Sequence, residues 1–255
     1  MHYELLLVAA LSSLAASASI ASRENHDWPA PVRDYYSAVG KRVAAVKKTD
    51  NNLTPPACDL ASAVPPAAPT PLPAPSPGLA VYHVAIGRGT QNYTCASNSS
   101  AAPVLIGARA SLYNASCIAA LYPDVLATLP AAALAYPVPT SSNPLAPSNL
   151  LLSGHHYFSD PTTPTFNLVT SNGDFGVTYS KKKAASAAPT VTTSNIVGYG
   201  NVPWLQLQAV VEEGSEGVVQ EVYRLNTAGG AAPPTCAGQQ GAFQVEYAAE
   251  YWFYA

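Results

Sequence analysis

Apolar and polar residues alternate with a period of two along much of the second half of the chain. Over 203–213, Leu205, Leu207, Ala209 and Val211 fall on one face, and Trp204, Gln206 and Gln208 on the other. Over 104–114, Val104, Ile106, Ala108, Ala110 and Leu112 share a face. Residues 217–227 and 242–254 also read as strands, with shorter ones at 166–171 and 175–179. Residues 79–86 are a fully apolar strand, which Gly87 and Gly89 end in a tight turn before a second strand at 90–96. Helical rhythm occurs only over 32–48, weakened by Gly40, and over 116–130, interrupted by Pro123. The Pro-, Ser- and Asn-rich stretch 131–164 reads as loop around His155, His156, Tyr157 and Phe158. Many short strands with Gly/Pro turns predict a mainly β fold, a single antiparallel β-sandwich or barrel with one or two short helices and long Pro-rich loops.

The N-terminus changes the picture of where this domain works. Leu5–Leu14 is a short apolar run followed by small residues at Ala16, Ala18 and Ala21, the layout of a secretory signal peptide over 1–21. The run is well under the roughly 20 residues that span a bilayer, so the mature protein is expected to be soluble, extracellular and free of the membrane. Residues 22–57 form an N-terminal arm, in which Lys41-Arg42 offers a dibasic processing site or a solvated helix face. The domain is expected over 58–255, with the nine prolines of 55–77 making extended, polyproline-like chain.

Only 11% of residues are charged and the net charge is −3, which leaves no electrostatic footprint for nucleic acid. Lys47-Lys48 and Lys181–Lys183 read as solvated loop charge. Cys58, Cys95, Cys117 and Cys236 imply two disulfides with three open connectivities. Asn52, Asn92, Asn98 and Asn114 satisfy the N-glycosylation pattern, Asn52 least well because Pro55 follows its Thr.

Candidate chemistry is sparse. Gly87-Arg88-Gly89 starts a dinucleotide fingerprint, but Asn92 stands at the third glycine and no helix follows, so no cofactor, nicotinamide included, is expected. Glu246 and Glu250 fall on one face at about 13 Å, too far for a glycosidase pair, although Glu221 on a neighbouring strand offers a nearer partner. His83, His155 and His156 are weak metal candidates, since adjacent histidines on a strand point to opposite faces. Trp204 beside Gln206 and Gln208 suits stacking on a sugar ring and bonding its hydroxyls, and Arg224 and Asn226 extend that surface. The alternative is that Trp204, next to Pro203, is a rim residue of the core.

GRGTQNYTC (87–95), ASLYNASC (110–117), VPWLQLQA (202–209), EVYRLNTAGGAAPPTC (221–236) and YAAEYWFY (247–254) together resemble a fungal secreted family with bacterial relatives, catalogued as a domain of unknown function. The resemblance spans about 58–254 and implies secretion and a compact β-rich domain, without an established activity. Members are sometimes labelled malate dehydrogenase, a label this chain contradicts by lacking the fingerprint and the βαβ order. Bacterial relatives resemble the chain at Cys95 and Cys236 and not at Cys58, which implies the pairs Cys95–Cys236 and Cys58–Cys117. Two function classes follow: a non-enzymatic extracellular binding or cell-wall-associated module whose partner is an extracellular polysaccharide, or a secreted hydrolase or metalloenzyme with an unrecognised site.

Overall fold

The computed structural model describes residues 58–96, 100–139, 143–146, 148–189, 200–210 and 217–255. The signal segment, the helix expected over 32–48, the Lys41-Arg42 pair and the sequons at Asn52 and Asn98 lie outside the described residues. Eight strands form: β1 (Val81–Cys95), β2 (Val104–Asn114), β3 (Leu152–Asp160), β4 (Thr163–Thr170), β5 (Gly173–Ser186), β6 (Trp204–Val210), β7 (Glu221–Gly229) and β8 (Gly241–Tyr254). Two helices, α1 (Ser116–Leu121) and α2 (Pro123–Leu134), sit between β2 and β3. Every strand is antiparallel to its sequence neighbours and β8 pairs back onto β1, so the sheet closes as an up-and-down barrel. Closure gives every strand a neighbour on each side, although β2 and β3 pair only over Ala110–Tyr113 and Leu152–His156, so the Val104–Arg109 end of β2 pairs with β1 alone.

The lumen is filled by side chains, as the narrow bore of an eight-stranded barrel permits. Tyr247, Tyr251 and Phe253 of β8 and Phe166 of β4 meet small residues across the bore, Ala85 of β1 and Ala110 of β2 among them. This large-against-small matching explains the glycines at 87 and 89, which make no turn. β1 runs unbroken through both, and a Cβ on Gly87 would lie 2.4 Å from the Tyr251 ring, one on Gly89 1.9 Å from the Arg109 carbonyl oxygen. The two strands expected at 79–86 and 90–96 are therefore one.

β8 is buried on both faces from Tyr247 to Tyr254, because α2 packs on the outer wall over β7, β8 and β1. That accounts for its nearly unbroken apolar run. Pro123 ends α1 and opens α2 at the first helical position, where its missing N–H costs nothing. Two further expectations change. Residues 152–160 are strand β3, not loop, and Lys181–Lys183 lie on β5, where Lys183 pairs with Glu221. Val104 and Ile106 are exposed at the end of β2, beyond Gly107 at φ 142°, so only Ala108, Ala110 and Leu112 of that alternating set are buried.

Two disulfides fasten the connections, Cys58–Cys117 and Cys95–Cys236, the pairing that the resemblance implied. The first ties the start of the proline-rich segment to α1. From there the segment runs as a strap across the outer wall of β5–β7. Thr70 N donates to Ser186 Oγ (3.1 Å), Tyr223 OH to the Pro73 carbonyl (2.9 Å), and Ser76 Oγ to Glu221 Oε1 (2.6 Å). Extended proline-rich chain has no internal hydrogen bonds, so these contacts fix it.

Candidate binding cleft

Trp204, Gln206 and Gln208 project from the outer wall, opposite Leu207 in the lumen, as their alternation predicts. The expected open face is nevertheless covered: Trp204 is 4% exposed and Gln206 fully buried. The strap crosses here, at Ser186, the register partner of Trp204, and at Tyr223, the partner of Gln206. Beneath it Gln206 Nε2 donates to Glu221 Oε2 (3.0 Å) and Tyr223 OH (2.7 Å), while Lys183 Nζ reaches Glu221 Oε1 and Gln208 Oε1, both at 3.1 Å. Burial pushes the Glu221 carboxyl up, but hydrogen bonds from Ser76, Lys183 and Gln206 outweigh it, and the net direction is down. Arg224 does not join this surface. It pairs in register with Leu205 and Tyr251 and points into the lumen, its Nη2 donating to the Pro203 carbonyl at 2.9 Å. Asn226, at φ 44°, is on the outer wall under α2, where its Nδ2 donates to the Ala127 carbonyl and to Glu250 Oε1.

The histidines separate. His83 is buried in the lumen, stacked on Phe175 at 4.1 Å, with its two ring nitrogens 3.0 Å from Ser153 Oγ and 3.1 Å from Ser116 Oγ. His156 is stacked on Phe166 at 4.5 Å, with Nδ1 3.0 Å from the Thr165 carbonyl. Burial lowers both to about 4. His155 faces outward. Among the described residues no three His, Cys, Asp or Glu side chains gather as a metal site requires. The carboxylates separate too. Glu250 is 1% exposed under α2, held by Asn226 and Trp252, and burial pushes it up to about 7. Glu246 is on the same wall but largely exposed, and Glu221, the first residue of β7, is distant from it, opposite Tyr254 at the far end of β8.

One cleft of about 670 Å³ opens on the outer wall across β8, β1, β2, β3 and β4. Register builds it. Glu246, Thr90 and Arg109 lie side by side on β8, β1 and β2, and Ser111, His155 and Asn167 continue the next row on β2, β3 and β4. Tyr157, two residues beyond His155 on the same face, supplies an aromatic ring, and Val138, after α2, forms a wall. That wall is fixed by Arg88, which donates to the Ala133 carbonyl (3.1 Å) and the Tyr136 carbonyl (2.9 Å) at the end of α2 and pairs with Glu246. Arg109 is exposed, so its cation faces the opening. Burial, then the nearby Arg109 charge, lowers His155, which leaves a neutral imidazole beside a fixed cation at neutral pH. The arrangement offers one ring face, two hydroxyls, an amide, an imidazole and a guanidinium to a polar ligand.

Sequence reasoning named His155 and Glu246 here, as metal and carboxylate candidates, and missed Arg109, Tyr157 and Asn167. The signal was the polar half of the 104–114 alternation, Arg109 with Ser111, once 152–160 is read as a strand.

A family model described as "Protein of unknown function (DUF3455)" matches residues 75–255, well over half of the chain. No curated protein and no solved structure matches it.

Proposed function

We propose, for a chain that belongs to the DUF3455 family of proteins of unknown function, that it is a secreted, non-enzymatic binding module and that the outer-wall cleft is its ligand site. The observation that carries the reading is the cleft itself, about 670 Å³ of space with an aromatic ring, amide and hydroxyl groups and an exposed guanidinium converging on it. The barrel interior, by contrast, is packed. Sites for small polar ligands combine such a ring with a few placed polar groups. Extracellular polysaccharide fits that chemistry: Tyr157 stacks on a sugar ring while Asn167, Ser111 and Thr90 bond its hydroxyls. Export is supported by the signal-like N-terminus, by the two disulfides, and by the absence of any helix among the described residues long and apolar enough to cross a membrane. Asn92 and Asn114, both half-buried at the surface, are the glycan acceptors of this reading.

A pull-down of the purified protein on insoluble wall polysaccharides tests it. Wild type is retained, and Tyr157→Ala and Arg109→Ala each lose at least about tenfold in retention, the usual effect of removing a central contact. No retention of wild type on any wall polysaccharide, or equal retention of all three proteins, contradicts the proposal.

A further inference from the structure

The fixed charges that line the outer-wall cleft are Arg88, Arg109 and Glu246. Arg88 and Glu246 pair with each other, and the other ion pair among the described residues is Lys183 with Glu221. Arg109 therefore meets no carboxylate among the described residues, and it is exposed at the opening. His155 beside it is uncharged at neutral pH. The cleft thus presents one uncompensated cation in a chain whose net charge is −3. A guanidinium in that position is open to a carboxylate, whose two oxygens match its fork.

Position decides which carboxylate. Ala110 of β2 pairs with His156 of β3, so Arg109 and Tyr157 are one step further along the same register. The ladder stops there, but β3 stays beside β2: a Cβ on Gly107 would lie 3.6 Å from the Phe158 Cβ. Cross-strand neighbours of this kind are roughly 5 Å apart at Cβ. A pyranose stacked on the Tyr157 ring therefore has its ring substituents within reach of the guanidinium. In a neutral hexose the C5 substituent is a hydroxymethyl group, and in a hexuronic acid it is a carboxylate. Glu246 lies two strands from Arg109, about 10 Å away with Thr90 between. Negative charge is thus favoured at the Arg109 end of the cleft and repelled at the other. Asn167 Oδ1 accepts from Val169 N at 3.1 Å, so its Nδ2 hydrogens are what it offers a ligand. Thr90 Oγ1 donates to Asn92 Oδ1 at 3.0 Å and offers its lone pairs to a sugar hydroxyl.

We propose that the cleft selects acidic polysaccharide, with a hexuronic acid stacked on Tyr157 and its carboxylate held by Arg109. The inference rests on the cleft being the ligand site and adds to that reading the charge of the sugar it takes.

The probes are oligosaccharides of galacturonate, glucuronate and mannuronate, each beside its carboxyl-reduced counterpart, in which every carboxylate has become a hydroxymethyl group. Calorimetric titration of the wild-type protein gives at least one acidic oligosaccharide an affinity about tenfold or more above its counterpart, the scale of a charge-assisted hydrogen bond. Sodium chloride at about 0.5 M removes most of that preference. Arg109→Gln, a change at an exposed position, brings the ratio to within about twofold. Lys181→Ala, at an exposed cation on β5 outside the cleft, leaves the ratio as it is. Equal affinity within every pair, a preference that survives Arg109→Gln, or one lost in Lys181→Ala overturns the inference. If Tyr157→Ala still weakens binding of the neutral member in that case, the cleft stands as the ligand site and only its selectivity for acid falls. Binding of neither member of any pair, with no retention on wall polysaccharides, overturns both.

Discussion

Two stretches of the outer wall set an aromatic ring beside an amide: Trp204 with Gln206 on β6, and Tyr157 with Asn167 on β3 and β4. The first is sealed. A proline-rich strap lies across it, Trp204 is 4% exposed, and the Gln206 amide nitrogen spends its bonds on Glu221 and Tyr223. The second is open, walled by the segment after α2 and left with its ring and amide facing a cleft. Strand alternation decides which side of the sheet a residue occupies. It says nothing of what another part of the chain lays over that side. Residue type alone therefore identifies two equivalent surfaces, and only the path of the strap separates the covered one from the open one.

The largest expected contrast is in stability. Trp204→Ala empties a buried, covered position and lowers unfolding free energy by about 4 kcal/mol. Tyr157→Ala, on the open face, costs no more than about 1 kcal/mol. Urea denaturation of the two variants measures this, and similar losses for both would erase the distinction. Releasing the strap sharpens it further. Cys58→Ser with Cys117→Ser removes a link across 59 residues and costs about 3 kcal/mol. Tryptophan fluorescence shifts to the red as the Trp204 face meets water. An unchanged spectrum in the folded double variant would show that something other than the strap covers this face.

The pH dependence comes next and concerns groups on the two sides of the wall. His83 and His156 in the lumen titrate near about 4 when folded, below the ordinary 6.5, so the stability that they confer is lost as pH falls from 6.5 through 4. Glu250 under α2 titrates near about 7, above the ordinary 4.5, so its contribution is present at low pH and lost as pH rises through 7. Between pH 4.5 and 6.5 the two histidines win, and stability rises with pH by about one proton's worth, roughly 1.4 kcal/mol per pH unit. Glu250→Gln removes the opposing group and roughly doubles that slope. Denaturant midpoints at pH 5 and 6 check it, and an unchanged slope contradicts the placement of a protonated Glu250. The smallest effect is at Arg109, where exposure limits the stability change of Arg109→Ala to about 0.5 kcal/mol while retention on polysaccharide falls.

The β class, the ends of β2 and β8, both disulfides and the two faces of β6 were legible in the sequence, because each rests on local pattern or on a resemblance with cysteines in it, whereas the strand expected over 217–227 is shifted to Glu221–Gly229. The unbroken β1 was not. Glycine reads as a turn, and its real reason, the Tyr251 ring and the Arg109 carbonyl pressed against positions 87 and 89, is a long-range contact. Strand β3 was hidden for a related reason. Prolines at 137, 139, 144 and 147 make its surroundings look like loop, and the alternation of His155 and Tyr157 against His156 shows only once that stretch is separated from them. The cleft depends on both errors being repaired, since β1 and β3 flank the β2 residues Arg109 and Ser111. Arg224 was placed on the wrong face because its register partner on β6 is the lumen-side Leu205, and the bulge of β7 between Leu225 and Ala228 is what keeps Asn226 outside.

The central claim is that ligand enters the open cleft and not the covered face. Amide and side-chain chemical-shift mapping of the ¹⁵N,¹³C-labelled protein against soluble fragments of wall polysaccharide tests it most directly. The account predicts saturable shifts at Thr90, Arg109, Ser111, His155, Tyr157 and Asn167, with Lys183, Gln208 and Ser76 unmoved. Shifts centred on Lys183, Gln208 and Ser76, or no saturable shifts with any fragment, would contradict it.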